Sequence, residues 1–309
     1  MDFRESSPNE LNSYSFGVKM SDHHGRKGIP TKLSVKEFNQ FILPHLIVGK
    51  RGPGPKLSLY KSFSYILKIL YMGCQWKELP IEKDVSGNPE IHYTRIYCVF
   101  RRWESLGCIN AIFTGSVLKL HKNNLLDTSR IHGDGTTTSA KKGGDNIGYS
   151  GHKHMKGDKI VAFSDRNCNV IAPFVTAPGN KNESPLLRDA LPMVMKITRA
   201  IGIDLKGSIV SLDGVYDSKI NRKLIFNRGM LPNIKANPRG RKKAKRGRKP
   251  LFNPDVFVER FQTIERVFAW EDKFRRLLIR FERLSKLHYA FKTLAYTMIN
   301  LRHFVVIGI

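Results

Sequence analysis

Apolar residues recur at helical spacing through the first third of the chain. Leu59, Phe63, Ile66, Leu67, Leu70 and Tyr71 mark one helix. Ile96, Phe100 and Trp103 mark a second, and Ile109, Ile112, Phe113 and Val117 a third. A 3.6-residue period places such positions on one buried face. Ahead of them Ser34-Val35-Lys36-Glu37 has the spacing of a capping box, which opens a short helix ending near Pro44. Residues 49–56, rich in glycine, proline and basic side chains, read as an irregular linker or a turn against phosphate. Residues 1–30 show no sustained period and read as a mobile leader. A small all-helical N-terminal domain is therefore expected over residues 31–124.

From about residue 125 the pattern changes. Residues 159–164 and 170–176 are β-rich runs around the turn Asp165-Arg166-Asn167-Cys168-Asn169, which predicts a hairpin. Residues 183–202 read as a helix with Leu186, Leu187, Leu191, Val194 and Ile197 facing inward. A strand over 208–212, a short helix over 218–227 closed by Gly229, and a strand over 231–235 follow. Asn253-Pro254-Asp255 supplies a cap, a first-turn proline and a first-turn acid for a helix striped by Phe257, Phe261, Ile264 and Phe268. Helical spacing continues through Phe274, Leu277, Phe281, Leu284, Phe291 and Leu294 toward Leu301, a length that requires a break or bend. The order of strand, hairpin, helix, strand, helix, strand and helix predicts an α/β fold over 125–309, a mixed sheet flanked by helices.

Composition narrows the partner. The 309 residues are 41% hydrophobic, enough to build a core, and carry 53 Lys plus Arg against 26 Asp plus Glu. A formal charge of +27 calls for a polyanion. No basic amphipathic helix beside an anchor and no apolar stretch of spanning length argues for a membrane, and residues 1–10 lack an apolar signal core. Between Pro238 and Pro250 lie Arg239, Arg241, Lys242, Lys243, Lys245, Arg246, Arg248 and Lys249, with no acid. Such like charges repel, so residues 238–250 form a loop until a polyanion arrives. A phosphate-tracking or minor-groove arm is the favoured role, against a nuclear address or a solvated loop. The helical third also carries Arg95, Arg101 and Arg102, consistent with either a helix-turn-helix-like DNA reader or a scaffold with solvated faces. Cys74, Cys98, Cys108 and Cys168 are scattered without a C-x-x-C pair, which points to free thiols in a reducing compartment.

Three acids stand in awkward places. Asp134 follows Arg130-Ile131-His132-Gly133, Asp213 ends the run Ile209-Val210-Ser211-Leu212, and Glu265 falls on the apolar side of a long helix, between Phe261 and Ala269 at four-residue spacing. Burying an unpaired carboxylate costs several kcal/mol unless something positive binds it. On so basic a chain, the economical reading is a divalent-metal site that cuts or joins nucleic acid. Asp217 competes with Asp213 as a ligand, but beside Ser218 it reads better as a helix N-cap. His132 reads as structural rather than as a contact to metal or scissile phosphate; His152, with Lys153 and His154 in a Lys-rich loop, reads equally as a DNA contact or a solvated residue. Arg266 reads as a phosphate or carboxylate partner, Trp270 as core rather than a base-stacking platform, and Tyr216 as either.

These residues resemble an insertion-sequence DDE transposase, of the family of insertion-sequence element five within the insertion-sequence-four-type superfamily. The resemblance runs from about residue 50 to residue 304. Gly73-Cys74-Gln75-Trp76-Lys77-Glu78-Leu79-Pro80 and Arg101-Arg102-Trp103 resemble that family's helical leader. Asp134-Gly135-Thr136 with Gly151-His152-Lys153, then Leu212-Asp213-Gly214-Val215-Tyr216-Asp217-Ser218, then Glu265-Arg266-Val267-Phe268-Ala269-Trp270 with Phe274-Arg275-Arg276-Leu277 resemble its three catalytic motifs in order. The order Gly214-Val215 departs from the family, where a small residue precedes the glycine, and predicts an altered turn after the strand.

The resemblance implies an RNase H-like sheet whose first and fourth strands bring Asp134 and Asp213 together, with Glu265 added from a later helix. It implies Mg²⁺, with Mn²⁺ as a substitute, two ions roughly 3.5–4 Å apart, Asp134 bridging them and Asp213 and Glu265 each holding one. It further implies binding of terminal inverted repeats on double-stranded DNA, hydrolysis at the transposon end to free a 3′-OH, and attack of that hydroxyl on target DNA. A homodimer or higher oligomer on paired ends, in a prokaryotic cytoplasm at the nucleoid, belongs to the same implication. Competing readings are a catalytically inactive or domesticated transposase acting as a DNA-binding protein, and a metal-dependent nuclease without strand transfer.

Overall fold

The computed structural model describes residues 28–47, 54–237 and 249–305. In the first third the elements fall where the apolar spacing put them. Helix α1 (Val35–Phe41) opens on the capping box: the Ser34 hydroxyl accepts from the Glu37 N–H, and the Glu37 carboxylate accepts from the Ser34 N–H. Helices α2 (Leu59–Met72), α3 (Tyr93–Ser105) and α4 (Cys108–Lys122) follow. Gly73 ends α2 at φ +72, and a Cβ there would stand 3.0 Å from the backbone of Arg275, so this turn requires glycine twice over. Of the predicted linker, residues 49–53 lie outside the described residues and residues 54–56 are neither helix nor strand.

The rest of the described chain builds one seven-stranded mixed sheet. Its strands are β1 (Arg130–Ala140), β2 (Gly148–Ser150), β3 (Met155–Asp165), β4 (Val175–Pro178), β5 (Ile209–Leu212), β6 (Leu231–Ile234) and β7 (Ile279–Arg280). Helices α5 (Glu183–Ala200), α6 (Lys219–Phe226), α7 (Pro254–Gln262), α8 (Ile264–Glu271) and α9 (Ser285–Leu301) flank it. The central order is β2-β3-β1-β5-β6. β1 is antiparallel to β3 over nine residue pairs, from Ile131 opposite Asp165 to Ser139 opposite Gly157. It is parallel to β5 with His132 level with Ser211, and parallel to β7 with Ser139 level with Ile279.

Several sequence expectations change. The hairpin turn at 165–169 forms, with the Asp165 N–H donating to the Asn169 carbonyl and Ser164 bridged to Val170. The return strand, however, pairs only from Val175 to Pro178, since Pro173 has no N–H to give to a ladder. β2 and β7, three and two residues long, carry no alternation that sequence could show. The long C-terminal helix is in fact three helices separated by breaks. It breaks at Thr263 (φ −117, ψ −88), whose hydroxyl donates to the carbonyls of Glu259 and Arg260. It is then interrupted by a 3-10 turn, Arg275–Leu277, and by β7 before α9. Phe281 and Leu284, read as part of an apolar helical face, are exposed.

Each face of the sheet has its own core. Ile131, Val161 and Phe163 pack with Leu187, Leu191 and Val194 of α5 and Ile225 of α6. On the other face, Ile160 and Ala162 join α8, α9 and the N-terminal helices in one continuous cluster that includes Phe63, Phe100, Trp103, Phe291 and Met298. Phe100 stacks on Phe291 with centroids 4.3 Å apart, so apolar contact runs across the change of element type near residue 124. Asn300 of α9 stitches the two parts: its amide donates to the Ser116 hydroxyl on α4 at 3.1 Å and to the Val170 carbonyl at 2.9 Å, and its oxygen accepts from the Val170 N–H at 2.9 Å. Charges buried beneath this cluster are paired: Lys292 with Glu271, and Arg276 with Glu282. Among the described residues the cysteines are free, and no helix is long and apolar enough to cross a membrane.

Candidate active site

The sheet topology creates a gap. β5 accompanies β1 only to His132, and β7 joins the same edge only at Ser139. Between them, residues 133–138 of β1 have no neighbouring strand on that side among the described residues. Asp134 opens this gap. Because the parallel pair places His132 level with Ser211, two residues further along each strand bring Asp134 level with Asp213, which leaves β5 still extended (φ −68, ψ 164). The ladder itself ends at His132 and Ser211, so register directs the two aspartates toward the same end of the gap without pairing them. β5 is the fifth strand of this chain because the short β2 intervenes; the expected count was four.

Glu265 arrives differently from its expected position. The break at Thr263 resets the helical face, so Glu265 stands in the first turn of α8 with 43% of its side chain exposed, and Phe261 at the end of α7 is also exposed. The predicted apolar side of one long helix does not exist. What links Glu265 to the cleft is Arg260, in the last turn of α7, whose side chain is 5% exposed. Its Nη1 donates to Asp134 Oδ2 at 2.5 Å, and its Nη2 lies 3.4 Å from Glu265 Oε1. The guanidinium is sandwiched near the Phe257 and Phe261 rings, at 5.3 and 5.1 Å. Sequence reading missed Arg260; its only signal was an arginine one residue before an exposed aromatic, with nothing to reveal a carboxylate 126 residues away.

Burial pushes the Asp134 carboxyl up from its ordinary range, against the pull of Arg260 and of the Gly135 N–H, which donates to Asp134 Oδ1 at 2.8 Å. His132, two residues earlier on the same pleat face, is fully buried with neither ring nitrogen bonded, and burial lowers it to about 4. Tyr216, in the 3-10 turn Gly214–Tyr216 after β5, is fully buried and its hydroxyl has no partner among the described residues. A Cβ on Gly214 would make only ordinary contact, with Lys235 O at 3.4 Å, so the turn does not depend on the unusual Gly214-Val215 order. Asp217 is not the expected N-cap. Ser218 caps α6 by accepting from Asn221, while Asp217 pairs with Arg222 at 3.0 Å and accepts from the Asn237 N–H.

The other expected contact residues lie elsewhere. His152 and Lys153 are exposed in the turn between β2 and β3, beyond Gly157, which itself faces Ser139, five residues along β1 from Asp134. At about 3.3 Å per residue that is roughly 17 Å from the acid, so His152 does not reach the carboxylates. Arg266 is exposed on α8. Trp270 packs partly buried against the core with Arg302 over its ring at 4.8 Å. Lys249 is exposed, and Arg239, Arg241, Lys242, Lys243, Lys245, Arg246 and Arg248 lie outside the described residues.

Asp134, Asp213 and Glu265 offer only oxygen donors, the type that Mg²⁺ and Mn²⁺ prefer. The cleft already holds one positive charge, the Arg260 guanidinium between two of them. Donor type and charge therefore fit a hard divalent cation. As arranged, no three His, Cys, Asp or Glu side chains close on one point among the described residues, so ligation by three acids requires Arg260 to release them.

A family model described as the transposase DDE domain matches residues 124–301. A search of curated proteins finds no match. Among solved structures, a piggyBac transposase synaptic complex with hairpin DNA is similar at 11% identity, covering 88% of this chain and 74% of that one, with a TM-score of 0.45. A pre-cleavage Mos1 transpososome is similar at 11% identity over 85% and 84% of the two chains, with a TM-score of 0.26. A Mos1 transposase paired-end complex with left transposon end is similar at 12% identity over 84% and 81%, also at 0.26.

Proposed function

The chain belongs to the transposase DDE domain family, and from that premise we propose that it is an active transposase that binds the terminal inverted repeats of an insertion sequence, cleaves DNA there and joins the freed end to target DNA. What supports the reading is that strand register directs Asp134 and Asp213 toward the gap in the β1 edge and that Arg260 bridges Asp134 to Glu265. We read the sheet as RNase H-like, supported by β1 lying antiparallel to β3 and parallel to β5, and the helices before residue 124 as the element-five family's leader domain.

In this reading Asp134, Asp213 and Glu265 hold divalent cations, Mg²⁺ or Mn²⁺. When bound, such ions make water nucleophilic and neutralise the leaving oxygen of a phosphodiester. The chain's own part is to bring hard donors together at a partly buried point where charge acts strongly. Arg260, once released from Asp134, offers a permanently charged fork suited to a phosphate oxygen. Arg239, Arg241, Lys242, Lys243, Lys245, Arg246, Arg248 and Lys249 track the DNA backbone, with His152, Lys153 and Arg266 contacting it outside the cleft; Arg95, Arg101 and Arg102 on α3 offer a further basic face. Two ends cut in concert require a homodimer or higher oligomer on DNA.

The test is incubation of the protein with labelled duplexes carrying the element's own ends, a target plasmid and Mg²⁺. Joined product supports transposition. Cleavage without joining supports a nuclease, and binding without cleavage, with Mn²⁺ also tried, supports the inactive DNA-binding protein.

A further inference from the structure

Glu183 faces the same cleft from the opposite side of the sheet. It is the first residue of α5, directly after the Asn182 cap, whose side chain accepts from the Ser184 N–H. Its carboxylate lies against Gly135, the residue after Asp134: a Cβ added to Gly135 would stand 2.6 Å from both Cδ and Oε2 of Glu183. A side chain at 135 would push this carboxylate aside. Lys159, on β3 opposite Thr137, holds the carboxylate at 3.2 Å, and both side chains are largely withdrawn from solvent.

Tyr216 supplies an independent pointer. Its hydroxyl is fully buried and has no partner among the described residues; burial pushes it well up, with the nearby charges of Glu183, Asp134 and Asp213 adding to the rise and that of Arg260 opposing it. A buried donor left unmade among acids suits a site that receives something. The open stretch of β1 leaves no strand on that edge between Glu183 on one face and Asp134 on the other among the described residues, and as arranged the acids do not yet close on one point.

We propose that Glu183 is a fourth acid of the site, which with Asp134 and Asp213 forms a divalent-cation subsite separate from the one shared by Asp134 and Glu265. This rests on the metal-dependent reading above. The arrangement repeats a single device: Arg260 neutralises Asp134 and Glu265, and Lys159 neutralises Glu183, until a cation takes over that role. The Tyr216 hydroxyl then has an oxygen to donate to.

The test is Mn²⁺ binding by the full chain, followed by the paramagnetic resonance of the free ion, with and without a short DNA duplex. Glu183→Gln is expected to bind one Mn²⁺ fewer than wild type, or to bind at least tenfold more weakly. Gly135→Ala, which keeps every charge but displaces the carboxylate, is expected to show the same loss, and Lys159→Met to bind more tightly. Circular dichroism establishes that each variant is folded; if Glu183→Gln is not, Gly135→Ala carries the test. Wild-type number and affinity in the folded variant overturn the proposal. Asp134→Asn binding like wild type, or wild type taking up no Mn²⁺ with or without DNA, overturns the metal reading itself.

Discussion

Arg260 donates from Nη1 to Asp134 Oδ2 at 2.5 Å while its Nη2 stands 3.4 Å from Glu265. One side chain thus ties the strand acid to the helix acid across the break at Thr263. The guanidinium supplies a positive charge between a largely buried carboxylate, Asp134, and a half-exposed one, Glu265.

Removing that charge should be costly and metal-sensitive. Arg260→Gln leaves a mostly buried carboxylate uncompensated, an effect of about 3 kcal/mol for such pairs. The variant is expected to unfold at lower denaturant than wild type in EDTA and to recover more of its stability than wild type when Mg²⁺ is added, because a bound cation replaces the lost charge. Equal Mg²⁺ effects on the two proteins would count against the guanidinium holding a cation's place.

His132 should make the fold acid-sensitive. Its folded value of about 4 lies below its ordinary 6.5, so between those values the unfolded chain binds more protons. Stability is therefore present above about pH 6.5 and lost as pH falls toward 4, by up to roughly 3 kcal/mol. His132→Phe is expected to lose less than wild type between pH 7 and pH 4.5 in denaturant titrations. Parallel losses would show that other groups govern the acid limb.

Much of this architecture was legible in the chain. Helices α2 to α4 follow from apolar residues at helical spacing because each buries one face, and the Ser34 and Asn253 caps are short-range features that sequence displays directly. That Asp134 and Asp213 head toward one gap was implied only by a family resemblance, because it depends on register between distant strands. The break at Thr263 was illegible because a threonine bonding back to a carbonyl competes with helix continuation only slightly, and the outcome depends on packing. Arg260 and Glu183 were missed for the same reason, since their significance comes from neighbours more than forty residues away.

The buried pair of Lys292 and Glu271 is structural. Lys292 is fully buried on α9, and its partner ends α8. Lys292→Met is expected to cost about 3–5 kcal/mol by stranding Glu271, and the double variant with Glu271→Gln to regain part of it. Chemical denaturation of the two variants checks this; an additive double variant would contradict the pairing.

Deleting residues 239–249 should weaken DNA binding and flatten its salt dependence, each lost phosphate contact lowering the slope by about 0.9. Binding isotherms at several salt concentrations give the slope directly. An unchanged slope would remove this segment from the DNA track.

The most direct measurement is cleavage of labelled DNA carrying the element's ends, with Mg²⁺ and with EDTA, by wild type and by Glu265→Gln. Wild type is expected to cleave, EDTA to abolish that cleavage, and the folded, DNA-bound variant not to cut. Undiminished cutting by Glu265→Gln, or cutting by wild type in EDTA, would contradict a site built from Asp134, Asp213 and Glu265.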